Sequence, residues 1–246
     1  MDQAPILAGS TNQRFPSVKG HPLGKRLIDI FLSGGALVLT SPLFLLAALA
    51  IRLQGNGPVL YRGLRVGKDG EPFHILKFRT MVANAETLGG SCTSDDDPRV
   101  TRLGRVLRSS KLDEIPQFLN VLAGEMSLVG PRPEVQKYTA MYSGEEKRIL
   151  RLRPGITDWA SIWNSDEGAV LKGAADPEKA YEEFLRPTKI RLQLRYADEN
   201  SVFIDVKILV YTLIRLCNRN WLPPEIAGYG MPRQSRLGPM EAARKA

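Results

Sequence analysis

Asp113 and Glu114 stand side by side in Leu112-Asp113-Glu114-Ile115-Pro116-Gln117, just after a run of cations: Arg99, Arg102, Arg105, Arg108 and Lys111. Adjacent carboxylates often serve only a helix start, because acids favour the positive N-terminal end and proline is tolerated in a first turn. Beside several arginines the pair has a second use. Carboxylates and substrate phosphates together hold Mg²⁺, and a carboxylate can itself attack phosphorus. Cations three residues apart share one slowly turning helix face, which suits a multi-phosphate ligand, lipid headgroups or plain solvent. Lys77 and Arg79, at strand spacing in Lys77-Phe78-Arg79-Thr80-Met81, add two more on one face. Gly130-Pro131-Arg132-Pro133 is a rigid, extended segment presenting one arginine. It is either a structural turn or a bidentate phosphate clamp.

Other chemistries are poorly supplied. Neither of the glycine-rich nucleotide-binding patterns is present. Cys92 and Cys217 are far apart with no CxxC partner and read as free thiols, and the two histidines, His21 and His74, cannot build a multi-histidine metal centre. The net charge of +8 attracts phosphate on nucleic acid, lipid or nucleotide without choosing among them.

The elements that position these residues begin with an apolar stretch, Leu27–Leu53, long enough for a bilayer that needs about 20 residues. It starts too late and runs too long for a cleavable signal peptide. Ser41-Pro42 falls mid-segment, where proline removes a backbone donor and Ser41 can bond the carbonyl it frees. Both flanks are basic: Lys19, Lys25 and Arg26 before, Arg52, Arg62, Arg65 and Lys68 after. Positive residues mark the cytoplasmic side. The favoured reading is therefore a re-entrant helix-break-helix hairpin over residues 21–57, ahead of a straight span or a buried soluble helix. Asp29 is expected at the interface, paired with Lys25 or Arg26.

Pro58–Tyr61 and Phe73–Phe78 read as strands around a Lys68-Asp69-Gly70 turn. Arg102–Arg108, Glu114–Leu122, Glu145–Leu152 and Pro177–Asn200 read as helices. Val202–Leu216 is too short to span, and is an interfacial or a core helix. Residues 1–20 and the basic stretch 221–246 are expected to be loose. The fold class is α/β or α+β and helix-rich, with one catalytic domain over 58–220.

These residues resemble the monotopic phosphoglycosyl transferases, the bacterial sugar transferase family. The resemblance rests on Ser41-Pro42, KFRTM at Lys77–Met81, DPRVTRLGRVLR at Asp97–Arg108, LDEIPQFLNVLAGEMSLVGPRPE at Leu112–Glu134, RPGIT at Arg153–Thr157 and the Pro187–Lys207 segment. It covers about Lys25 to Leu216. It implies a membrane enzyme on the cytoplasmic face of the bacterial inner membrane, moving a phospho-sugar from a UDP-sugar to polyprenyl phosphate in a surface-glycan pathway. Asp113 would be the nucleophile and Glu114 its partner in metal placement or proton handling, with Mg²⁺ as cofactor held at the pair. Arg108, Lys77, Arg79 and Arg132 would lie near the phosphates, and Ser41 and Pro42 would break the anchor. Membrane lipids, a second copy of the chain or downstream glycosyltransferases are the further partners this implies. Where the family commonly has Gly-Trp-Ala-Gln-Val and then Asn-Gly, this chain has Asp158-Trp159-Ala160-Ser161-Ile162-Trp163-Asn164, a change that bears on the sugar or nucleotide pocket. Larger members carry extra transmembrane helices and another domain, so the chain resembles the minimal form. Three rivals remain: a catalytically silent polyprenyl-phosphate adaptor, disfavoured by the intact acid pair; a nucleotide-sugar hydrolase; and a nucleic-acid binder, which lacks a recognisable motif.

Overall fold

Residues 23–53 form a single helix, α1 (Leu23–Leu53), in a computed structural model that describes residues 23–88, 90, 92–230 and 232. The expected division into two halves at Ser41-Pro42 is not seen, because the helix runs unbroken through Pro42. Pro42 cannot donate to the Val38 carbonyl. Ser41 Oγ donates to that same carbonyl at 2.8 Å, and Thr40 Oγ1 donates to Ala36 O at 2.7 Å, so the local polar groups stay satisfied.

One stripe of α1 is covered along its whole length. Lys25, Asp29, Ser33, Ala47 and Ile51 are buried, and Leu37 and Phe44 pack partly between them. Those positions recur every three to four residues, as one helix face requires. The other faces expose Leu27, Phe31, Leu39, Leu45 and Leu49. Among the described residues α1 is the one helix long and apolar enough to cross a membrane.

Strands β1 (Leu60–Val66) and β2 (Pro72–Phe78) make an antiparallel hairpin in register from Leu60↔Phe78 to Val66↔Pro72. The turn carries positive φ at Asp69 (58°) and Gly70 (86°). β1 extends past the expected Tyr61, since cross-strand pairing overrides the weak strand propensity of Arg62 and Gly63. Next come α2 (Arg102–Ser109), capped by Thr101 Oγ1 accepting from the Gly104 amide, then α3 (Gln117–Ala123). Strand β3 (Ser127–Val129), α4 (Gln136–Thr139) and β4 (Gly155–Thr157) follow, with β3 and β4 parallel. The chain continues through α5 (Trp159–Trp163), α6 (Glu167–Leu171), α7 (Pro177–Ala180), α8 (Arg186–Glu199), α9 (Val202–Cys217) and α10 (Pro224–Ala227). The expected helix over 177–200 is interrupted by a π turn, Tyr181–Leu185, which absorbs the missing donor of Pro187. The whole is a helix-rich mixed α/β fold.

The main core joins Met126, Trp159, Leu192, Tyr196 and Ile208, all fully buried. Burying each such side chain contributes about 1.5–3 kcal/mol. α9 is a core and a surface helix at once. Asp205, Ile208 and Arg215 point inward while Phe203, Val206, Val210, Leu213 and Leu216 are exposed. Residues 221–230 are not loose. Ile226 is fully buried, the Trp163 indole donates to Gly230 O at 2.6 Å, and Trp221 packs edge-on against Tyr211. Apolar burial by Trp221 and Ile226 outweighs the turn-rich composition. The expected tail over 1–20, and the rest of 221–246 apart from residue 232, lie outside the described residues.

Candidate active site

Asp113 and Glu114 occupy one 3-10 turn, Leu112–Glu114, entered through Lys111 in the left-handed region (φ 59°). Consecutive residues of such a turn point about 120° apart, and the two carboxylates meet opposite surroundings. Asp113 is 7% exposed. Burial pushes its pKa up and the Glu114 charge adds to the rise, while Lys77, Arg108 and Lys111 pull the other way without cancelling it. Burial works against the Glu114 charge as well, but Arg132 and Lys77 outweigh it and hold that carboxyl well below the usual range. Lys77 Nζ donates to Glu114 Oε1 at 2.7 Å, Arg132 Nη2 to the same oxygen, and Arg132 Nη1 to Oε2 at 3.4 Å. The Arg132 guanidinium is held charged chiefly by Glu114.

Each cation arrives on a separate element. Lys77 comes from β2, where Asn120 of α3 bonds the strand through the His74 carbonyl (2.8 Å) and the Leu76 amide (2.9 Å). Arg132 comes from the segment after β3. There Gly130 and Gly155 touch backbone to backbone: a Cβ on Gly130 would lie 2.4 Å from Arg153 O, so only glycine fits. Behind Arg132, Glu134 pairs with Lys189 and accepts from the Tyr181 hydroxyl at 2.8 Å. Burial opposes the Lys189 charge, but Glu134 more than offsets it and the lysine is held well above its ordinary pKa. Arg108 ends α2, whose Gly104 packs directly on Thr80 O. Its charge and that of Lys111 act on Asp113 and on Asp95, a carboxyl pushed up by burial and by Asp166.

Two expected members stand apart. Arg79 donates to the carbonyls of Asn56 (3.0 Å), Ile51 and Gly55 (both 3.3 Å), closing the C-terminal end of α1 instead of joining Lys77. β2 ends at Phe78, so strand alternation no longer governs residue 79. Arg99 lies outside α2 and pairs with Asp97, so the cationic run is not one helical face. Asp29 accepts from the Leu128 amide (3.0 Å), while Lys25 Nζ bonds Asp205 (2.7 Å), Val129 O (2.8 Å) and the Tyr196 hydroxyl (2.9 Å). In the departing segment, fully buried Asp158 caps α5 by accepting from the Ser161 amide (2.7 Å) and hydroxyl (2.6 Å). An Asp-x-x-Ser spacing is the cap signature that could have announced it. Nothing in the local sequence announces the Glu134–Lys189 pair, whose members are on different elements. Cys92 is half-buried with its sulfur 3.1 Å from the Tyr138 hydroxyl, and burial pushes the thiol up to about 12.

Among the described residues no group of three or more acidic, histidine or cysteine side chains could hold a metal. Both Glu114 oxygens are committed to cations. Asp113 is the carboxylate left to face one, and one carboxylate plus phosphate oxygens is a normal Mg²⁺ set. The residues fit a Mg²⁺ shared with a phosphate ligand, and not one held by both carboxylates.

A buried carboxylate thus lies beside a second one that Lys77 and Arg132 hold charged, in a domain packed against one long apolar helix. The chain belongs to the bacterial sugar transferase family, whose model matches residues 20–219. It is 38% identical over 196 residues to the UDP-glucose:undecaprenyl-phosphate glucose-1-phosphate transferase of Escherichia coli, a match spanning 78% of this chain and 39% of that one. It is 38% identical over 192 residues to the UDP-N-acetylgalactosamine-undecaprenyl-phosphate N-acetylgalactosaminephosphotransferase of Aeromonas hydrophila, spanning 77% and 42%. A third relative, the UDP-glucose:undecaprenyl-phosphate glucose-1-phosphate transferase of Caulobacter vibrioides, is 36% identical over 219 residues, spanning 85% and 78%. The chain thus spans about two fifths of the first two relatives and most of the third.

Proposed function

We propose that this chain transfers a phospho-sugar from a UDP-sugar to undecaprenyl phosphate, giving undecaprenyl diphospho-sugar and UMP, as the first membrane step of a bacterial surface glycan. The observation that carries this reading is the split carboxylate pair, with Glu114 fixed as an anion by Lys77 and Arg132 and Asp113 buried beside it. An Asp113 oxygen attacks the β-phosphorus. The bond from that phosphorus to the bridging oxygen breaks, UMP leaves with the oxygen, and Asp113 carries the phospho-sugar. A phosphate oxygen of the acceptor then attacks the same phosphorus and releases the Asp113 carboxylate. One nucleophile thereby serves a soluble donor and a lipid acceptor in turn. Arg108, Lys111 and Arg132 offset charge that gathers at phosphorus, the main task in phosphoryl transfer. Glu114 holds Lys77 and Arg132 in place. A Mg²⁺ bound by Asp113 and the donor diphosphate would neutralise phosphate charge.

The setting is the cytoplasmic face of the inner membrane, with α1 seated in the near leaflet and both of its ends on the cytoplasmic side. Support comes from its two ends. Lys25 and Ile51 are about 39 Å apart along a helix, yet both are buried against the same domain. That attachment at both ends favours a helix whose ends stay on one face. UMP release from a panel of UDP-sugars, with and without undecaprenyl phosphate, tests the reaction. Lipid-dependent release that vanishes in Asp113→Asn is expected. Release unchanged in that variant would remove Asp113 from the chemistry.

A further inference from the structure

Arg219 lies just past the end of α9 and plays no part in the site described so far. Its Nη2 donates to the carbonyl of Ser109, the residue after Arg108, and its Nη1 lies 3.7 Å from Asp166 Oδ2, at the N-terminal cap of α6. The guanidinium therefore stands between the end of α2 that carries Arg108 and the carboxyl that acts on Asp95. Its side chain remains 58% exposed. One short bond and one long ion pair leave most of its five donors unused. Phe203, Val206, Val210, Leu213 and Leu216 form an exposed apolar track along α9, whose last member stands three residues before Arg219 in the chain.

We infer that Arg219 binds the phosphate of the lipid-borne acceptor, with the polyprenyl chain along the apolar track of α9. This rests on the reaction proposed above. The chemistry selects the acceptor over the donor because an exposed apolar track precedes the cation along α9, whereas a nucleotide sugar has no use for one. A guanidinium can grip a terminal phosphate through two parallel bonds. From Arg219 the phosphate would meet Arg108 next, on the way to Asp113.

Steady-state kinetics of the full chain in nanodiscs, varying undecaprenyl phosphate and UDP-sugar separately, tests the assignment. Arg219→Gln should raise the acceptor KM about tenfold, the loss typical of one charge-assisted bond, with donor KM within about twofold and Arg219→Lys recovering part of the loss. An acceptor KM that does not move would overturn the assignment. So would equal rises in both KM values, the mark of a mere brace between α2 and α6. So would weaker sedimentation with phosphatidylglycerol vesicles at an unchanged acceptor KM, which would assign the guanidinium to bulk lipid headgroups. Wild-type protein that releases no UMP from any UDP-sugar would overturn the proposed reaction and this assignment with it, and that is read before any variant.

Discussion

Asp113 carries a raised pKa because burial and Glu114 disfavour its charge. Two consequences follow, and their signs differ from those of a carboxylate in a salt bridge. The unfolded chain ionises Asp113 near the ordinary 3.8 and the folded chain above it, so folding stability falls as pH rises through that interval and is level beyond it. Asp113→Asn should therefore abolish transfer yet unfold at the same or a higher temperature than wild type at neutral pH, by thermal denaturation in detergent. The proposed attack by Asp113 requires its ionised form, so kcat against pH should drop on the acid side at a pH above 3.8. Arg79→Gln should leave the acceptor and donor KM values within about twofold while lowering the melting temperature, since its bonds are to the end of α1. Arg132→Gln should reduce kcat at least tenfold by freeing one side of Glu114, as expected for losing a bond to a charged group. Much of the acid–cation cluster is legible in sequence because Asp113, Glu114 and Arg108 are close in the chain. Lys77 stands out by strand spacing and Arg132 by its rigid Gly-Pro-Arg-Pro segment, and Arg79 misleads because strand alternation stops one residue before it.

At the scale of elements, α1 is tied to the domain by polar groups more than by its leucines. Lys25 bonds Asp205, Val129 O and Tyr196, all buried, and Asp29 bonds the next residue back along β3. Lys25→Met would leave Asp205 buried without its cation and should cost about 3–5 kcal/mol of stability. Adding Asp205→Leu should recover a good part of that in a double-mutant cycle read by thermal unfolding. A cost no larger for the single variant than for the double one would mean the pair does not hold α1. The α2 and α3 helices and the β1–β2 hairpin follow from local pattern. β3 and β4 do not: three residues each, paired across an intervening 25, they are specified by the Gly130–Gly155 contact and not by any period. The α1 helix shows the converse limit. Pro42 predicts a break from local stereochemistry, and Ser41 Oγ on the Val38 carbonyl removes the need for one.

For the molecule as a whole, α1 and α9 each expose apolar side chains on a chain with net charge +8. Basic groups beside an apolar face favour anionic membranes. Single cysteines at Leu23 and at Gln54, in a chain with Cys92 and Cys217 replaced by serine, should both react with a membrane-impermeant thiol reagent in inside-out vesicles and neither in intact cells. Reaction of one from each side would mean that α1 crosses. The general class is readable from composition and motif together. The docking of residues 221–230 is not, because Ile226 joins, and Leu222 and Tyr229 pack against, a core assembled from α5, α8 and α9 that no local pattern describes.

The most direct test of the central claim is the intact mass of the protein after incubation with each UDP-sugar in the absence of lipid. A covalent phospho-sugar adduct is predicted on the wild-type chain with its own donor, absent from Asp113→Asn and discharged when undecaprenyl phosphate is added. Lipid-dependent product formation by a protein that never carries the adduct, or an adduct that persists in Asp113→Asn, would contradict it.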